Sequence, residues 1–237
     1  MKTRMKLVFG IITVCVVVFS ILYVMPQKTK EVKNNATEDP VPVTEEVDII
    51  IDPGHGGDDP GKVGINQALE KTINLNISKK IGYILEEKNY NILYTRTDDV
   101  GMCKAQNISK VDDLYKRVEL INKEKPKLVL SIHQNSYEES SIKGAQVFYY
   151  THSVEAKNAA QEIQNTLVKL DSTNTRTIKD NNTYYMLKRT TVPTVIVECG
   201  FLSNASEADL LVDDTYQNQL AAAIVAGVEE YWEKYNL

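Results

Sequence analysis

The sequence predicts an α/β domain: a mostly parallel, twisted sheet of about six strands flanked by helices. Three observations carry this. Short β-branched runs alternate along the chain with stretches whose apolar residues recur at helical spacing, the order that βαβ units produce. Runs such as "VDIII" are apolar enough for buried strands. Three of the runs end on residues with chemistry, at the strand ends where open α/β sheets gather their ligands.

The elements follow in order. "VDIII" (47–51) is the first strand. Ile73, Ile77, Ile81 and Ile84 fall on one face of a helix. "YNILYT" (90–95) is a second strand, Leu114, Val118 and Ile121 mark a helix, and "KLVLSI" (127–132) is a third strand. "AQVFYY" (145–150) is another, and the short 133–152 stretch allows an antiparallel pairing there. Residues 153–170 form a helix with Ala156, Ala160, Ile163 and Leu167 on one side. A polar loop, "DSTNTRTIKDNNTYY" (171–185), leads to the strand "TVIVE" (194–198). Leu220, Ile224, Val228 and Tyr231 stripe the last helix.

Ahead of this domain, "MKTRMK" is basic and "LVFGIITVCVVVFSILYVM" (7–25) carries no charge. Residues 1–25 therefore read as a hydrophobic helix, either a signal peptide or a signal-anchor, with the length favouring an uncleaved anchor. The expected location is the outer face of the cytoplasmic membrane, or export from the cell. Residues 26–46 are polar with three prolines and read as a flexible linker. The catalytic domain is expected over 47–237.

The formal net charge is −5, and five basic residues with no acid lie within the first thirty, so the rest is more acidic still. Nucleic acid is thereby a poor partner. The cysteines, Cys15, Cys103 and Cys199, are too few for a disulfide framework; one bridge between Cys103 and Cys199 is open.

The chemistry gathers around "IIIDPGHGGDDPG" (49–61). Gly56 to Lys62 has the spacing of a phosphate loop, but Val63 stands where a hydroxyl should hold magnesium. Pro60 has no N–H to offer, and Asp58 and Asp59 would repel phosphate. A metal suits the stretch better. His55, His133 in "LVLSIH" and Glu198 in "VIVE" all follow strands and converge at one predicted edge. Hydrolytic zinc takes three protein ligands from His, Glu or Asp. Two would be His55 and His133; the third is a carboxylate, for which Glu70 in "ALEKTINL" folds back from the next helix, or the remaining His152. Magnesium prefers oxygen and does not suit a histidine-rich site.

"DPGHGGDDPG", "LEK", "SIHQN" and "VPTVIVECGFLSN" occur in this order, supported by "TRTDD" (95–99) and "RVELIN" (117–122). Together they resemble the zinc-dependent N-acetylmuramoyl-L-alanine amidases of the type 3 family over about 47–235. That resemblance implies one zinc ion held by His55, Glu70 and His133, with Glu198 as the catalytic carboxylate and peptidoglycan as substrate. Glu198 would act as general base and then general acid. Asn135 is a candidate substrate donor, equally suited to stabilising its own loop, and Arg96 is expected to hold structure. Within the family, the short anchored architecture and "GAQVFYY" (144–150) resemble most the germination-specific cortex amidases of spore formers, which implies a place on the cortex side of the forespore envelope. A vegetative wall hydrolase of the same family is the alternative. A peptidoglycan-binding protein without activity is the rival class, which would not need Glu198. No helix is left over between His133 and Glu198 to cover the site, so control is expected from outside the domain, for instance through an envelope protein.

Overall fold

The apolar runs and striped helices become a six-stranded sheet with helices on both faces. The computed structural model describes residues 46–102 and 109–237. The elements are β1 (Ile49–Pro53), α1 (Glu70–Glu87), β2 (Ile92–Tyr94), α2 (Lys110–Glu124), β3 (Leu128–Asn135), β4 (Gln146–Tyr150), α3 (Val154–Leu170), β5 (Lys179–Asn181), α4 (Tyr185–Arg189), β6 (Thr194–Phe201), α5 (Ala205–Val212) and α6 (Asp214–Tyr235). The strand order is β2-β1-β3-β6-β4-β5. The first four of these run parallel; β4 pairs antiparallel with β6, and β5 runs alongside β4. The antiparallel reading of "AQVFYY" is thus borne out.

The strands bury both faces, and their alternation divides the core. Ile49, Ile51, Leu128, Leu130, Ile132, Val195 and Val197 face α1, α3 and α6, whose stripes complete the main cluster. Ile50 and Val129 face the other way, toward Ile121 of α2 and Met186 of α4. This second face is covered more thinly, by a helix of 15 residues and one of 5. Side chains cap several helices at their starts: Ser109, Ser153, Asn204 and Asp213 each accept from a backbone N–H three residues on.

Differences from the sequence reading are local. The polar loop 171–185 contains β5, and the short helix α4 begins at its end. Helix α5 was also not expected. Strands β1, β3 and β6 continue past their apolar runs, to Pro53, Asn135 and Phe201. Cys199 is a buried free thiol. Residues 1–45, with the expected apolar helix and nearly all of the linker, lie outside the described residues, as does Cys103. Among the described residues no helix is long and apolar enough to cross a membrane.

Candidate active site

The three strand ends meet as expected. His133 and Glu198 are in-register partners on the adjacent parallel strands β3 and β6. His55 sits just past β1, the other neighbour of β3. Its φ of 64° lies in the left-handed region, which a residue with a side chain occupies at a cost; such strain clusters at functional sites.

Glu70 arrives from the first turn of α1. No side chain caps that helix. Instead the carbonyls of Lys62 and Pro60 accept from the N–H groups of Glu70 and Lys71. The loop from 55 to 69 is therefore stitched onto the helix start, and this carries the Glu70 carboxylate to the histidines. Its Oε1 lies 3.2 Å from His55 Nε2 and 3.1 Å from His133 Nδ1. Candidate ligand atoms of all three residues lie within 4.8 Å of one another. Two glycines make room. A Cβ on Gly54 would overlap the His133 ring, and one on Gly61, at a φ of +69°, would press on Glu70 and His55.

The donor set suits a metal ion. Two imidazoles and one carboxylate match a hydrolytic zinc site that leaves a position open. Asp59 Oδ2 lies 2.7 Å from His55 Nδ1, a partner that would hold the N–H there and leave the Nε2 lone pair to a bound metal. The other Asp59 oxygen accepts from Lys110 Nζ at 2.6 Å. Glu70 Oε2 accepts from the N–H of Lys62 at 2.7 Å, and Oε1 from that of Gln134 at 3.1 Å. Burial alone would raise the Glu70 pKa, but hydrogen bonds and charge from His133 and His55 more than offset this and hold the carboxyl well below the usual range. His55 is raised above its ordinary value, with Glu70 and Asp59 outweighing the burial that lowers it.

Glu198 has the opposite environment. It is 8% exposed, and its Oε2 has no hydrogen-bond partner among the described residues. Burial pushes its pKa up to about 7, with the Glu70 charge adding to this and His133 opposing it. It faces a cleft of about 380 Å³ on the thinly covered side of the sheet, with Leu114, Tyr184, Tyr185, Met186 and Ile196 among its walls.

A buried ionic frame holds the His55 loop. Arg117 donates to Asp52 Oδ1, to the carbonyls of Pro53 and His55, and to Asp113. Asp52 also accepts from Thr95 and Ser131 hydroxyls at 2.6 Å each. Burial would raise its pKa, but Arg117 and these two hydroxyls outweigh it and hold the pKa below the ordinary carboxylate value. Arg96 donates to the carbonyls of Pro53, Gly54, Lys71 and Asp98, the structural role expected of it. Arg117→Met should leave the Asp52 charge buried and unpaired and free two carbonyls, costing about 3–5 kcal/mol; urea unfolding against wild type measures it.

Two other candidates stand apart from the centre. Asn135 ends β3, where its Oδ1 accepts from the N–H of Ser136 at 2.8 Å, and it does not line the cleft. His152 stacks edge-on against Tyr150, 5.4 Å between ring centres, outside the ligand cluster. Sequence reasoning did not find Asp59 as a partner of His55, nor Asp52 and Arg117. Two signals point at Arg117: it opens "RVELIN", and it lies beside the Leu114, Val118 and Ile121 stripe, where a charge predicts a buried partner.

Known proteins resemble this chain in sequence and fold. Residues 49–230 match the Amidase_3 family, described as N-acetylmuramoyl-L-alanine amidase. The germination-specific N-acetylmuramoyl-L-alanine amidase of Bacillus subtilis (strain 168) is 36% identical over 188 residues, which is 78% of this chain and 79% of that protein. The CwlD amidase from Clostridioides difficile, solved in complex with the GerS lipoprotein, superposes with a TM-score of 0.76 at 37% identity, covering 79% of this chain and 99% of that one. The amidase AmiC2 of Nostoc punctiforme gives a TM-score of 0.70 at 29% identity, over 79% and 98% of the two chains. The chain belongs to the Amidase_3 family of N-acetylmuramoyl-L-alanine amidases.

Proposed function

We propose that this amidase is zinc-dependent and hydrolyses the amide between the lactyl group of muramic acid and the L-alanine of the stem peptide in spore cortex. His55, Glu70 and His133 hold the metal, and Glu198 moves the proton. The observation that carries this is the pairing of His133 with Glu198 on adjacent strands, Glu198 presenting a buried, unpartnered oxygen beside the ligand cluster.

When bound, zinc supplies Lewis acidity, polarising a carbonyl and making water acidic near neutral pH. Glu198 takes a proton from the attacking water at its carboxylate and delivers it to the alanyl nitrogen as the C–N bond breaks. The products are a lactyl carboxylate on the glycan and a peptide with a free amino terminus. Asp59 keeps the His55 proton on Nδ1 throughout. Leu114, Met186 and Ile196 give the cleft an apolar wall that excludes water around the scissile bond. Asn135, its Oδ1 held by the Ser136 N–H, keeps its Nδ2 amine as the group that would donate to substrate.

The cortex role is supported by the germination-specific relative from Bacillus subtilis. Residues 1–25 anchor the chain at the outer face of the membrane through the linker 26–46. A lipoprotein partner at that surface is supported by the Clostridioides difficile complex. The test is digestion of purified peptidoglycan by the full-length chain, with mass spectrometry of the products. Free stem peptides beginning at L-alanine, lost on chelation and restored by zinc, are expected. Cleavage of glycosidic or peptide–peptide bonds, or turnover indifferent to chelation, would overturn the reading.

A further inference from the structure

Behind the ligand cluster lies a pair of buried amides that the proton transfer does not use. Asn74 is fully buried on α1, one turn beyond Glu70. Gln134 is 3% exposed and follows His133 on β3. Asn74 Nδ2 lies 3.1 Å from the carbonyl oxygen of Gly54 and 3.5 Å from Glu70 Oε1. Gln134 Nε2 lies 3.2 Å from Asn74 Oδ1.

The chemistry of the partners fixes both orientations. A backbone carbonyl and an ionised carboxylate only accept, so Asn74 must turn its NH₂ toward Gly54 and Glu70. Its oxygen then faces Gln134, which must present its own NH₂ in turn. Each amide leaves one possibility for the next. The result is a directed chain of donors, Gln134 to Asn74 to the Glu70 carboxylate and the β1 end, running alongside the N–H that Gln134 gives directly to Glu70.

An apolar pair would cost less in this position. Asn74 lies in the same buried face as Ile73, Ile77 and Ile81, and the Gln134 carbonyl oxygen has no partner among the described residues. Burying an amide group without its full complement of bonds works against folding. What the two amides do in return is tie together Glu70, Gly54 and β3, the three points from which the cluster's side chains project.

We propose that Asn74, oriented by Gln134, is a positioning residue that sets the metal affinity of the site by holding the Glu70 carboxylate in place. This rests on the reading of His55, Glu70 and His133 as metal ligands. Partners that orient ligands in this way are worth about 10–100-fold in affinity.

The test uses the full-length chain in three variants, Asn74→Leu, Gln134→Met and His133→Ala, each with zinc affinity by chelator competition and urea unfolding of the metal-free form. Asn74→Leu should weaken zinc by about 10–100-fold, with turnover recovering toward wild type at saturating zinc. Gln134→Met, which keeps the volume and the backbone N–H but removes the donor that orients Asn74, should shift affinity the same way by less. Zinc affinity within about twofold of wild type in the folded variants would overturn the proposal, whatever the metal-free stability does. If Asn74→Leu does not fold, Gln134→Met decides alone. Unchanged zinc binding in His133→Ala would instead overturn the ligand assignment itself.

Discussion

Glu198→Gln should fold and bind zinc as wild type does and lose about 10²–10⁴-fold in turnover. The substitution keeps shape and volume at the end of β6 and takes away only the capacity to accept and release a proton. The position is favourable to a neutral group: the carboxyl is nearly enclosed and burial already works against its charge. Fold stability should therefore be unchanged or slightly raised, so the loss cannot be ascribed to unfolding. Muropeptide release at saturating zinc, beside a metal stoichiometry, measures both halves. Turnover within a few-fold of wild type would mean that another group carries the proton.

His133→Ala should remove metal and activity together. Two of three ligands then remain, and Glu70 loses one of the two imidazoles that hold its charge. The affinity loss should exceed the roughly 100-fold that removing a surrounding hydrogen-bond partner costs. His55→Ala should behave alike, and it also takes from Asp59 one of its three partners, leaving Lys110 and the N–H of Gly61. A variant that retains one zinc per chain at wild-type affinity is not missing a ligand.

The fold was legible wherever a residue pattern and a burial requirement coincide. Ile49 and Ile51 of β1 and the stripes of α1, α3 and α6 face a continuous core, so their periodicity is imposed by packing. Strand β5 and helix α4 have no such imprint. The sequence Lys-Asp-Asn forms a strand because β4 offers a free edge, and Asn181 Oδ1 then holds the N–H groups of Thr183 and Tyr184 at the start of α4. Three and five residues are too few for a period to register. The site follows the same division. His55, His133 and Glu198 stand at strand ends, where topology makes them readable. Asp59, Asn74, Gln134 and Arg117 act through hydrogen bonds to groups far along the chain or to backbone atoms, which residue type alone does not announce. Asn135 is different again: its oxygen is engaged by the next residue's N–H, the loop-stabilising half of its reading, while its amine keeps the donor half open.

The pairing of His133 with Glu198 makes the sheet a ruler. Neighbouring strands stand about 4.8 Å apart, and no loop can stretch or shorten that interval. The segment that walls the cleft, by contrast, hangs from the outer strands and the short helix α4. Selection or an engineer can therefore exchange the 171–193 stretch, altering which wall fragments are admitted, while the span between His133 and Glu198 is inherited unchanged.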